Sequence, residues 1–60
     1  MPAFDYTVSR DGPWWMITIP AINGLTQARH RGEIAQMARE YVAVSQGRRI
    51  ADVEVRLVGR

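Results

Sequence analysis

Apolar and polar residues alternate along the first third of the chain, on either side of an Asp-Gly pair. Residues 4–9, F-D-Y-T-V-S, have the period of two that is typical of a half-buried strand. Residues 14–19, W-W-M-I-T-I, are rich in the aromatic and β-branched side chains that strands favour. Asp11-Gly12 between them is a strong hairpin signal. The pattern predicts two antiparallel strands joined by a tight turn.

The register of this hairpin follows from its turn. With Asp11-Gly12 as the two central residues, or with a four-residue loop over residues 10–13, the large apolar residues of the two strands face each other. The predicted apolar pairs are Phe4 with Ile19, Tyr6 with Ile17 and Val8 with Trp15. Ser9 lies opposite Trp14 on the other face. One face of the sheet is then apolar along both strands.

Turn residues divide the remainder of the chain. Pro20 cannot donate to a sheet and is predicted to end the second strand. Asn23-Gly24 supplies another turn, and Leu25–Arg29 is predicted as a short edge strand. Residues 52–58, D-V-E-V-R-L-V, are predicted as the last strand. Its alternation directs three side chains inward, those of Val53, Val55 and Leu57.

Residues 31–46 have the periodicity of an amphipathic helix. The apolar positions, which share one helix face, are Ile34, Met37, Ala38, Tyr41 and Val44. The other side is predicted to carry Glu33, Gln36, Arg39, Glu40 and Ala43. Gly47 is predicted to end the helix in the left-handed conformation. The start is expected to fray, because His30 occupies the N-cap position and Gly32 lies in the first turn.

This order of elements predicts an α+β fold, a two-layer β-β-β-α-β sandwich with one helix on one face. A right-handed crossover places the last strand beside the first and parallel to it, which gives the sheet order 3-2-1-4. The face without the helix is predicted to carry Asp5, Thr7, Ser9, Trp14, Met16, Thr18, Glu54, Arg56 and Val58. Most of this set is polar, as expected of a solvated sheet face.

Trp14 and Met16 are the exceptions on that face. A large aromatic ring and an adaptable thioether on an uncovered surface indicate a contact with another protein. The alternative is a cross-strand pair near the turn that needs no partner. The predicted partner or dimer contacts are Trp14, Met16, Thr18 and Arg56.

Length and composition limit the possible functions. The chain has 60 residues and is expected to form a single domain over 1–60, without a DNA-binding domain. With no cysteine for disulfides, so small a domain is expected to gain stability as a homodimer or on a partner. No apolar run approaches the ~20 residues of a membrane helix, and the first residues lack signal-peptide features. A cytoplasmic location is expected.

All eight basic residues are arginines, and the net charge is +2. A GC-rich genome explains this bias, and recognition of nucleic acid through guanidinium groups is the alternative. Because the arginines are spread along the chain, the first explanation is favoured.

Catalytic and metal-binding patterns are weak. The chain has one histidine and no glycine-rich phosphate loop. His30 and Glu33 have the spacing of some metal ligands, but capping of the helix explains them more simply. Asp5, Asp52 and Glu54 are the carboxylates that a vestigial nuclease of the RNase H type would use with two metal ions. Solvated strand ends explain them better, so no catalytic residue, metal or cofactor is expected.

Five segments together resemble the N-terminal toxin-binding domain of HicB-family antitoxins. They are W-W-M-I-T-I-P, the N-G turn, T-Q-A-R, M-A-R-E on the helix and D-V-E-V-R in the last strand. The resemblance covers about residues 6–57 and implies a partial RNase H-like fold in a stand-alone form. It also implies a non-enzymatic function in a toxin–antitoxin system, in which the domain neutralises a HicA-type mRNA interferase by occlusion.

Three features depart from the family. The 60 residues leave no room for its usual C-terminal DNA-binding domain, and the net charge is positive. His30 and Gly32 stand where the family has better residues for starting a helix. The alternatives are therefore a small arginine-rich RNA-binding protein and an orphan adaptor with no toxin partner.

Overall fold

A computed structural model describes residues 3–59 as one mixed sheet and one α-helix. In chain order the elements are β1 (Ala3–Asp11), β2 (Trp14–Ile19), a 3-10 turn (Pro20–Ile22), β3 (Gly24–Ala28), a 3-10 turn (Arg31–Glu33), α1 (Ile34–Gln46), a 3-10 turn (Ile50–Asp52) and β4 (Glu54–Leu57). The strand order is β3-β2-β1-β4. β1 and β4 are parallel, and the other two pairs are antiparallel. The predicted two-layer α+β fold and its sheet order are confirmed.

The predicted register of the β1–β2 hairpin is wrong by two residues. Val8 lies opposite Ile17, not Trp15, and the last pair before the turn is Asp11 with Trp14. Gly12, with φ of 61°, and Pro13 are thus the two loop residues. Glycine at the first loop position suits a type II′ turn, and a proline in the loop gives up no ladder hydrogen bond. Because the shift is an even number, every side chain keeps its predicted face.

The core lies between α1 and the sheet face that it covers. Ile17 and Ile19 of β2 are fully buried there, as are Ala38 and Val42 of α1. The other buried apolar residues are Tyr6, Ala28, Ile34, Ala43 and Val53. Phe4, Val8, Trp15, Ile22, Met37, Tyr41 and Val55 pack around them and are partly buried. β2 therefore supplies the centre of the core.

Small residues on β3 let α1 lie close to the sheet. Gly24 and Ala28 are buried on the covered face. A Cβ atom at Gly24 would lie 2.6 Å from Cε1 of Tyr41 on α1. Since side chains alternate along a strand, this arrangement turns Leu25 to the opposite face, where it is 57% exposed.

The buried face of α1 differs from the predicted one toward its C-terminus. Val44 was predicted to face inward and is 85% exposed, whereas Ala43 was predicted outward and is buried. Val42, which the prediction omitted, is fully buried. The prediction treated the helix as packed on the sheet alone, but the turn at Ile50–Asp52 also contacts it.

The two ends of α1 behave differently. Gly47 has φ of 65°, and the Arg48 amide donates to the Ala43 carbonyl at 2.9 Å, which together form the predicted glycine C-cap. At the other end, the side chain of His30 makes no capping hydrogen bond, and the first turn, Arg31–Glu33, is a 3-10 turn. The sequence therefore specifies the end of the helix better than its start.

β4 is shorter than predicted at both ends. The 3-10 turn Ile50–Asp52 takes the place of its first residues. The strand ends at Leu57, which pairs with Tyr6, whereas β1 continues to Asp11. Leu57 lies on the covered side but is 53% exposed, because the hairpin extends beyond β4 and the helix does not cover this corner. None of the helices described in residues 3–59 is long and apolar enough to cross a membrane.

Candidate functional site

The sheet face opposite α1, called the outer face below, carries three of the four predicted contact residues on one strand. Trp14, Met16 and Thr18 occupy alternate positions of β2 and so point the same way. Trp14 and Met16 are half-buried, and Thr18 is exposed. Their neighbours on β1 are Asp11, Ser9 and Thr7. The outer face is thus a polar strip with two large, partly exposed side chains near the turn.

Leu25 belongs to this face, although the sequence analysis did not include it. It pairs with Thr18 across β2 and β3. The sequence signal was the alternation in residues 24–28, G-L-T-Q-A. The small residues Gly24 and Ala28 fall on one face of the strand, and Leu25 falls on the other. Leu25 extends the apolar part of the outer face from β2 to the edge strand.

Arg56, the fourth predicted contact residue, lies on the outer face but apart from the other three. It is on β4, separated from β2 by β1. Its Nη2 lies 2.9 Å from Oδ1 of Asp5, and its Nε donates to the same oxygen at 3.0 Å. Both side chains are well exposed, so the pair contributes at most ~1 kcal/mol to stability. Its main effect is to tie the Arg56 guanidinium group to Asp5 of β1.

Carboxylates outnumber arginines among the strand residues of the outer face. Asp5, Asp11 and Glu54 point outward from β1 and β4, against Arg56 alone. The local charge of these strand positions is therefore negative, although the net charge of the chain is +2.

Three arginines converge on the two tryptophans at the hairpin end of the sheet. The guanidinium carbon of Arg29 lies 5.1 Å from the ring centre of Trp14 on the outer face. On the covered face, Arg10 and Arg31 lie 4.3 and 5.1 Å from the ring centre of Trp15. These distances are within the ~6 Å range of cation–π contacts. The sequence does not reveal this cluster, because the three arginines lie in different segments of the chain.

No carboxylate neutralises these three arginines within residues 3–59. The ion pairs in that range join Arg49 with Asp52 and Arg56 with Asp5. Arg10 donates to the Gly12 carbonyl oxygen through Nε and Nη2, at 3.4 and 3.1 Å. That contact leaves its charge without a counter-ion.

An open cleft of about 490 Å³ lies beside Trp15 on the covered face. It exists because the β1–β2 hairpin extends past the end of β4 while α1 begins only at Ile34. Its apolar lining is formed by Tyr6, Val8, Trp15, Ile34, Ala35 and Leu57, and Arg31 and Gly32 stand at its edge. The cleft is therefore mainly apolar with a basic margin.

Two of the three carboxylates considered for a nuclease are paired with arginines. Asp5 is paired with Arg56, and Oδ2 of Asp52 accepts a hydrogen bond of 2.9 Å from Nε of Arg49. Glu54 is exposed at the start of β4. In the described part of the chain, no three side chains of His, Cys, Asp or Glu are placed to hold a metal ion.

Comparisons with protein-family models, with curated proteins and with solved structures give no match to this chain.

Proposed function

We propose that this chain is a non-enzymatic protein-binding module that occludes a partner protein with the outer face of its sheet, and that a second copy of the chain covers the same face when the partner is absent. The observation that carries the proposal is the position of Trp14 and Met16, half-buried on a sheet face that has no helix over it. Such side chains commonly form the centre of protein interfaces. Leu25, on the same face, enlarges the apolar area.

The small size of the chain supports an interface that covers one whole face of the molecule. A stable interface buries about 800 Å² per partner, which is about a fifth of the 4078 Å² accessible surface of this chain. An area of this size requires one complete side of the molecule. A 60-residue domain also gains stability from covering such a side, because its own core is small.

The partner class follows from the resemblance to HicB-family antitoxins. A HicA-type mRNA interferase is a basic protein, and the strand positions of the outer face are locally acidic through Asp5, Asp11 and Glu54. Opposite charges on two surfaces favour encounter and orientation. We therefore propose that the module neutralises such an interferase in the cytoplasm by covering its active surface, with no chemical step of its own.

A growth-rescue experiment tests this function. The chain is co-expressed with a HicA-type interferase, taken from the neighbouring gene where one is encoded there, and growth is compared with that of cells expressing the interferase alone. The wild-type chain is expected to restore growth. Met16→Arg should not, because it places a charge in the centre of the outer face. Val44→Arg makes the same kind of change on an exposed helix position and should restore growth like the wild type.

Two results would contradict the proposal. Equal rescue by the Met16→Arg and wild-type chains would remove the outer face from the contact. Absence of rescue by a folded wild-type chain, with folding checked by circular dichroism, would remove the interferase as the partner.

A further inference from the structure

The cleft beside Trp15 lies on the other side of the sheet from the outer face, so the proposed protein contact does not use it. Its volume of about 490 Å³ is within the range of about 300–1,000 Å³ that is usual for small-ligand pockets. Two aromatic side chains, Tyr6 and Trp15, contribute to its lining. Within residues 3–59, Arg31 is the one charged residue that lines it. This composition suits a ligand with an apolar, flat body.

The margin of the cleft suits an anion. Arg10 and Arg31 both lie against the ring of Trp15, at 4.3 and 5.1 Å from its centre. A guanidinium group stacked on an indole still presents N–H groups at its edge, which is the geometry for binding a phosphate. Neither arginine has a carboxylate partner in the described range. A phosphate at either arginine would therefore meet a positive charge that no carboxylate neutralises, although at Arg10 it would compete with the hydrogen bonds to the Gly12 carbonyl oxygen.

We propose that this cleft binds one base of a single-stranded nucleic acid, with the flanking phosphates on Arg10 and Arg31. Proteins that bind single strands combine aromatic surfaces for the bases with positive charge along the backbone. Arg29, two residues before Arg31 and stacked on Trp14, extends the positive charge at the same end of the molecule. An acidic peptide would meet the same charges, but the apolar lining of the cleft, to which Trp15 contributes, suits a flat nucleobase more closely.

Fluorescence of Trp15 provides the test. In a Trp14→Phe background, Trp15 is the one remaining tryptophan. Titration with a short single-stranded RNA at low salt is expected to quench its emission to saturation, and a single-stranded DNA of the same sequence provides the second arm. Affinity should fall as salt rises, with a slope of log K against log salt of about −0.7 for each phosphate contact.

Two pairs of variants locate the site. Arg31→Gln should weaken binding on the order of tenfold at low salt, as expected for the loss of one phosphate contact. Arg48→Gln removes the same charge from an exposed position after the helix and should change affinity little. Gly32→Leu should block the cleft, because a side chain there enters open space at its edge, whereas Gly32→Ala should bind normally.

Several outcomes would overturn the proposal. These are an unchanged Trp15 emission with both RNA and DNA, equal losses for Arg31→Gln and Arg48→Gln, or full binding by a folded Gly32→Leu chain. Equally tight binding of a polyglutamate peptide would show a general anion site instead. None of these results bears on growth rescue through the outer face, so the two proposals fail independently.

Discussion

The two sides of β2 have different roles, although both are formed by the same six consecutive residues. Ile17 and Ile19, on the side under α1, have no exposed surface. Trp14 and Met16, on the other side, are only half-buried, and Thr18 is exposed. Burial contributes to stability in proportion to the apolar area removed from water. The covered side thus stabilises the fold, and the outer side remains available for binding.

The two tryptophans extend this contrast to charge. Trp14 lies opposite Asp11 on the face whose strand residues are locally acidic, and a single arginine, Arg29, lies against its ring. Trp15 lies between Arg10 and Arg31 at the edge of an apolar cleft. Consecutive residues of β2 therefore lie in different chemical surroundings, because strand geometry places them on opposite faces of the sheet.

The largest expected difference between the two sides of β2 is in stability. Ile17→Ala should lower the free energy of unfolding by ~2–5 kcal/mol, because it leaves a cavity in a fully packed site. Met16→Ala should cost clearly less, since its side chain is only partly buried in the single chain. Urea unfolding followed by circular dichroism at one fixed protein concentration measures both. Equal losses for the two variants would mean that the outer face is as much a core as the covered one.

A smaller effect is expected where α1 approaches β3. Gly24→Ala should destabilise the fold by ~1–3 kcal/mol, because the added methyl group would overlap the ring of Tyr41. Gly32→Ala is the matched control, since nothing lies within 4 Å of a Cβ at that position. The control should leave the free energy of unfolding unchanged or raise it by up to ~1 kcal/mol. If both variants melt at the same temperature as the wild type, the close packing of the helix on β3 is wrong.

The sequence predicted the topology because its strongest signals are local and mutually consistent. The alternation in β1 and β2 determined the faces, and the right-handed crossover determined the place of β4. The hairpin register was wrong by two residues because Asp11-Gly12 and Gly12-Pro13 both resemble turns, and the alternation has the same phase in either case. Helix periodicity was misread at Val44, because the buried positions of α1 follow the i, i+4 row Ile34, Ala38 and Val42. That row turns the buried face away from position 44.

The candidate sites were predicted less completely. Trp14, Met16 and Thr18 were found because alternation alone places them on one face. The ion pair of Arg56 with Asp5 depends on the alignment of two strands that are distant in sequence. The arginines around the tryptophans could not be grouped from the sequence, because their proximity requires knowledge of where three separate elements end. Contacts between distant segments were thus the missing information.

Fluorescence of single-tryptophan variants during dilution tests most directly whether the outer face is a protein contact. Trp15→Phe leaves Trp14 as the reporter of the outer face, and Trp14→Phe leaves Trp15 as the reporter of the other side. As the protein is diluted and its sedimentation-derived mass falls from dimer to monomer, the Trp14 emission should shift to longer wavelength and the Trp15 emission should stay constant. A monomeric mass at all concentrations with unchanging Trp14 emission, or equal shifts from both reporters, would contradict self-association through the outer face.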